Sequence, residues 1–203
     1  MRVVAGTFRG RTLTTPPGAG TRPILDRVKV ALFDWLGSTL AQPGFLPPLN
    51  VLDIFCGGGS LGIECLSRGA AFCTFIDGDR QALIALRKNL STLGIGYPCR
   101  VIAGPAESAP IARPPDGRYS LIFLDPPYRL NDAIGPDTVM GRTLHHLAAD
   151  VPIDPDALLI WRHETHRESP PRLPGEWRLT ERRSWGSVAI SMFRNCPPAD
   201  EPS

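Results

Sequence analysis

Asp125-Pro126-Pro127-Tyr128 follows the apolar run 121–124, and a glycine-rich turn at residues 57–62 follows an earlier apolar run containing Asp53. The run 121–124 is continuously apolar and ends at a breaker, which predicts a buried parallel strand. Two consecutive prolines cannot donate to a sheet ladder or continue a helix. They stiffen the backbone at the carboxyl end of the strand, where open α/β sheets hold their ligands. Asp125 is then a fixed acceptor, the Pro126 carbonyl a second one, and Tyr128 a flat ring beside them. Such a trio suits a planar base bearing an exocyclic amine. The bland alternative is a proline-rich turn with an incidental Asp.

The glycines of Gly57-Gly58-Gly59-Ser60-Leu61-Gly62 satisfy the G-x-G-x-x-G spacing at 57, 59 and 62, between a predicted strand and a predicted helix. They permit a tight turn and close approach of backbone to a ligand. Asp77, at the end of the next apolar run, is suited to ribose hydroxyls. This much fits a nicotinamide enzyme nearly as well as a methyltransferase. Asp53 and the Asp125 turn favour a methyl donor. A carboxylate at 53 can meet a ligand ammonium but would repel a pyrophosphate, and the proline turn has no evident task beside a nicotinamide.

With these motifs the chain resembles the RsmD-like 16S rRNA guanine-N2 methyltransferases, which use S-adenosylmethionine. The likeness spans residues 2–13, Arg22-Pro23, 26–29, 32–36, the glycine turn, 66–70, 125–128 and Trp185-Gly186-Ser187 with the three residues after it. It implies a Rossmann-like class I methyltransferase: an α/β, mostly parallel seven-stranded sheet with an antiparallel C-terminal hairpin and a small N-terminal hairpin and helix extension. It implies a donor site at Asp53, Phe55, Gly57, Gly59, Asp77 and Ala106, with Asp125, Pro126 and Tyr128 at the acceptor amine and no metal. A 16S rRNA guanine on a 30S particle would be the substrate of a monomeric, cytoplasmic enzyme. The chain departs from the family at Ile24, where a Thr is expected, and at Pro105, where an acid or amide near the adenine is usual. A DNA adenine-N6 or cytosine-N4 methyltransferase shares the Asp125 motif. A non-catalytic RNA-binding assembly factor would tolerate Ile24 and Pro105.

The charge is uneven. Residues 1–50 hold Arg2, Arg9, Arg11, Arg22, Arg27 and Lys29 against Asp26 and Asp34, and the remainder is slightly acidic. The five arginines are candidate RNA contacts, and an ordinary solvated face is the rival reading. Five cysteines without a C-x-x-C pair suggest reduced thiols. His145-His146 and the His163–His166 pair lack cysteine partners at zinc spacing.

The elements needed to hold these residues follow from periodicity. Residues 2–5 and 11–14 predict a hairpin too small to build a core. Asp26 is expected to cap a helix whose Val28, Ala31, Leu32, Trp35 and Leu36 form one apolar face. Strands are expected near 50–54, 71–76, 99–103, 119–124, 157–161, 177–183 and 187–194, with helices near 60–68, 79–93 and 134–149. The division is one domain, 1–203, with an extension at 1–48, a catalytic core at 49–195 and a frayed tail at 196–203.

Overall fold

The computed structural model describes residues 1–17, 24–40, 42–131, 135–165 and 173–196. Seven strands form one sheet: β1 (Asn50–Ile54), β2 (Phe72–Asp77), β3 (Cys99–Ala103), β4 (Tyr119–Leu124), β5 (Ile153–Glu164), β6 (Trp177–Trp185) and β7 (Val188–Asn195). Their order is β3-β2-β1-β4-β5-β7-β6. The first five are parallel, and β7 runs antiparallel to both β5 and β6. β1, β2 and β4 are almost wholly buried, as continuously apolar strands between two helical layers must be. Strand order reverses between β1 and β4, so a crevice opens at the carboxyl ends of these two strands.

Alternation along the strands sorts side chains into two cores. Val51, Phe75, Leu121, Phe123, Leu158 and Ile160 face the layer of α1 (Asp26–Thr39), α2 (Ser60–Ser67) and α3 (Arg80–Leu93). Leu52, Ile76, Ile122, Leu124 and Leu159 face the layer of α5 (Val139–Asp150). A single turn, α4 (Tyr128–Asn131), starts immediately after Pro127. The proline pair therefore begins a helix as well as ending a strand, since a missing N–H costs nothing at a first helical turn.

Several sequence expectations change. Asp26 is not the cap of α1. Leu25 occupies that position without a side-chain bond, and the Asp26 carboxylate turns outward to Arg2 at 2.7 Å. β5 runs to Glu164, past the end expected near 161, because β7 pairs with it through that residue. The helix expected from 134 begins at Val139, where Thr138 caps it by accepting from the Gly141 N–H. The N-terminal hairpin is joined by an Arg2–Thr12 bridge, and its Val3 and Leu13 pack into the core beneath the sheet instead of forming one of their own. The tail after 196 and Arg22 lie outside the described residues.

Candidate active site

Period-two alternation also decides where the charged residues go. Asp53, Asp77, Asp125 and Arg162 each lie two residues beyond a core residue of the α1–α2–α3 face: Val51, Phe75, Phe123 and Ile160. Four charges are thereby delivered to one face at the carboxyl ends of β1, β2, β4 and β5.

They surround a cleft with two chambers. The smaller, about 60 Å³, is bounded by Asp53, Asp125, Arg162, Phe55, Gly57 and Ile24 among others. The larger, about 680 Å³, is bounded by Asp77, Asp79, Pro105, Ala106, Glu107 and Pro127 among others. Phe55, Gly57 and Pro16 wall both. Phe55 adopts φ 59°, a conformation uncommon for a non-glycine residue and frequent at functional sites. Gly57 follows at φ 56°, and a Cβ there would meet nothing within 4 Å, so its backbone is open to a ligand. Gly59 and Gly62 do something else. A Cβ on Gly59 would come within 2.4 Å of Leu86, and one on Gly62 within 2.4 Å of Phe75. These two glycines let α2 pack against its neighbours, and neither lines the chambers.

Asp53 is buried, and its Oδ2 accepts from the Gly62 N–H at 2.9 Å, near the amino end of α2. Burial pushes its pKa up to about 8, against the pull of that bond; Asp125 and Asp77 push the same way. Asp77 accepts from the Gly57 N–H at 2.8 Å and from the Asp79 N–H at 2.8 Å, and burial raises its pKa. Asp125, with a side chain 17% exposed, accepts from Arg162 Nε through Oδ1 at 2.5 Å. Burial raises the Asp125 pKa, and Arg162 opposes the rise. Among the described residues Oδ2 of Asp125 has no hydrogen-bond donor. Cys56 stands in the turn as a buried thiol whose pKa burial raises well above the usual value, an inert group.

Tyr128 does not line either chamber. Its hydroxyl is sealed from solvent without a hydrogen-bond partner among the described residues. Pro126 is buried and is not among the residues that line either chamber. Ala106 lies in the wall of the large chamber beside Pro105, and Glu107 adds an acid there that spacing alone did not suggest. The Glu107 carboxylate stands 3.5 Å from Arg142. Arg162 was also missed. An arginine continuing the apolar run 157–161 was the available signal, since a charge on a buried strand requires a partner.

The basic residues of the extension divide. Arg2 pairs with Asp26, Arg11 donates to the Thr92 carbonyl at 3.3 Å, and Arg9 is exposed. Arg27 is exposed and lines a separate groove near Trp185. His163 is buried, with Nε2 bonded to Ser191 Oγ at 2.9 Å. Among the described residues no group of His, Cys, Asp and Glu is arranged to hold a metal ion. No helix among them is long and apolar enough to cross a membrane.

Residues 1–194 match the family model described as Conserved hypothetical protein 95. Ribosomal RNA small subunit methyltransferase D of Escherichia coli K12 is 33% identical over 196 residues, 96% of this chain and 89% of that protein. Its namesake from Haemophilus influenzae is 32% identical over 96% of this chain and 94% of its own length. A solved Escherichia coli structure, provisionally named a methyltransferase, superposes with a TM-score of 0.77 at 32% identity, covering 98% of this chain and 99% of that one.

Proposed function

The chain belongs to the Conserved hypothetical protein 95 family, that of the RsmD-like rRNA methyltransferases, and we propose that it methylates the exocyclic N2 amine of a guanine in small-subunit rRNA, with S-adenosylmethionine as donor. The carrying observation is the shared wall: Asp53 and Asp125 bound one small chamber, and Phe55, Gly57 and Pro16 form a wall common to it and a larger one.

The residues fit the donor. Asp53 is a buried carboxyl with no cationic partner among the described residues, suited to an amino-acid ammonium. Asp77 borders the large chamber and can meet ribose hydroxyls, while Pro105 and Ala106 offer apolar contact to adenine. The open backbone at Gly57 admits close approach. When bound, S-adenosylmethionine supplies an electrophilic methyl group on a sulfonium. The protein's contribution is position. A guanine amine is a weak nucleophile because its lone pair is delocalised into the ring. Asp125 Oδ2 and the Pro126 carbonyl can accept its two N–H bonds and turn the lone pair toward the methyl group. Transfer of the methyl group to the amine would leave S-adenosylhomocysteine, and the amine proton would pass to Asp125 or to water. Arg162 fixes the carboxylate through Oδ1 and opposes the burial that favours its protonated form. Alignment of this type supplies most of what such a displacement needs. The small-subunit substrate is supported by the names of the relatives, and recognition of an assembled particle by shape agrees with how proteins read RNA.

Mass spectrometry of the nucleosides formed from naked rRNA, 30S particles and duplex DNA tests the reading. N2-methylguanosine in the RNA arms is expected, and methylated DNA adenine or cytosine would replace this reading with the DNA one. Asp125→Ala should lower turnover by about 10²–10⁴-fold while donor affinity by calorimetry stays near the parent's, because its contacts matter in the transition state.

A further inference from the structure

A second groove lies beyond the arginine that fixes Asp125. It runs between the first turn of α1 and the turn joining β6 to β7, with a volume of about 440 Å³, within the range of small-ligand sites. Its walls include Ile24, Leu25, Arg27, Arg162, Trp185 and Ser187. Arg162 and Ile24 also wall the small chamber, so one buried arginine separates the groove from the reactive carboxylate.

The lining has a consistent chemistry. No acidic residue is among the described residues of the groove, whereas Arg27 and Arg162 both are. Trp185 ends β6 and is only partly buried against the core, which leaves indole surface at the groove. Gly186 beside it has φ 61°, and a Cβ there would meet nothing within 4 Å, so the turn's backbone is open as well. A flat ring, a solvent-facing guanidinium and an open peptide suit a base with its phosphate. An apolar peptide would leave Arg27 without use, and an acidic peptide has no use for the indole.

We propose that this groove seats the nucleotide adjacent to the target guanine, its base stacked on Trp185 and its phosphate paired with Arg27. The inference rests on the RNA substrate proposed above. A base drawn out of a stack leaves its neighbour exposed. Capture of that neighbour on Trp185 compensates, and the shared Arg162 wall keeps the two sites in register.

Anisotropy titration of a labelled, mixed-sequence single-stranded oligoribonucleotide against the full chain tests this. Trp185→Ala and Arg27→Ala are each expected to weaken binding by about tenfold, the scale of one base stack. Trp185→Phe should restore most of the loss. Arg27→Ala should lower the salt slope by about one, and Trp185→Ala should leave that slope unchanged. Donor affinity by calorimetry, unchanged in all three, reports intact folding. Binding by Trp185→Ala within twofold of the parent would overturn the proposal. So would a loss confined to 30S particles with oligoribonucleotide binding intact, which assigns the groove to a ribosomal protein. Methylation of duplex DNA instead of rRNA would defeat the functional reading alone, and the titration would still decide the groove.

Discussion

Asp53 is a carboxyl held where an ion should not be, and its titration gives the donor site a measurable signature. Its pKa stands near 8 in the folded chain against 3.8 in model compounds. Between those values the folded state carries the extra proton, so stability falls as pH rises from about 4 to about 8. The contribution amounts to several kcal/mol at most, because water penetration and relaxation soften burial. Asp53→Asn keeps an acceptor for the Gly62 N–H and should flatten this slope in urea melts taken across that range; an unchanged slope would remove Asp53 as its source. A donor ammonium beside Asp53 would favour the ionised form, so binding at pH 7 should release about one proton. Calorimetry in two buffers of different ionisation enthalpy reads that number, and Asp53→Asn should bring it to zero. Tyr128 presents the opposite case. Its hydroxyl is buried without a partner among the described residues, an arrangement that costs about 1–3 kcal/mol. Tyr128→Phe should therefore raise stability by about 1 kcal/mol. A loss in the same urea melt would mean that the hydroxyl has a partner.

Among the elements, α2 does the most to assemble the fold, and it does so through polar groups. Glu64 is fully buried and accepts from the Val4 and Ala5 N–H groups at 2.8 and 2.9 Å. Lys29 of α1 and Arg68 flank the same carboxylate at 3.5 and 2.9 Å. Ser67 adds bonds to the Ala5 carbonyl and the Phe8 N–H. Burial lowers the Lys29 pKa, and Glu64 is the main influence opposing it. One helix thus latches the hairpin and α1 to the sheet. Glu64→Gln leaves two buried cations facing a neutral amide and should cost about 3–5 kcal/mol. Urea denaturation gives the loss, and hydrogen exchange should report early opening of residues 1–13. A melt within 1 kcal/mol of the parent would make the latch unimportant. The apolar runs foretold nearly every strand and helix of the core, because continuous apolarity and helical spacing are local signals. The latch was not legible. Glu64 reads as an ordinary surface acid until α2 is turned so that this side faces the hairpin, and its partners lie 59 and 60 residues away in the chain. Asp26 misled for the same reason: its tertiary partner Arg2 outbid the local cap.

At the scale of the whole molecule, the sheet order decides which distant residues meet. Asp77 and Asp125 could be singled out by sequence because each ends an apolar run, and Asp53 because it stands inside one just before the glycine turn. Arg162 could not be matched to Asp125 until β5 was set parallel beside β4, a pairing across 37 residues. The basic extension is likewise redefined by its neighbours. Arg2 is committed to Asp26 and Arg11 reaches the Thr92 carbonyl, so part of the N-terminal charge serves the fold. Arg9, exposed on the hairpin turn and without an ion pair among the described residues, is the cation there best placed to meet a phosphate. Counterion release makes each such contact visible in the salt dependence of binding. Arg9→Ala should make the slope of log affinity against log salt shallower by about one and leave thermal stability unchanged. Arg2→Ala should lower stability slightly, by less than about 1 kcal/mol, with a smaller effect on the slope. A salt series of 30S binding with both variants separates the two roles. Equal slopes for Arg9→Ala and the parent would return the hairpin to a purely structural part, a lid over α2 whose surface charge is ordinary solvated charge.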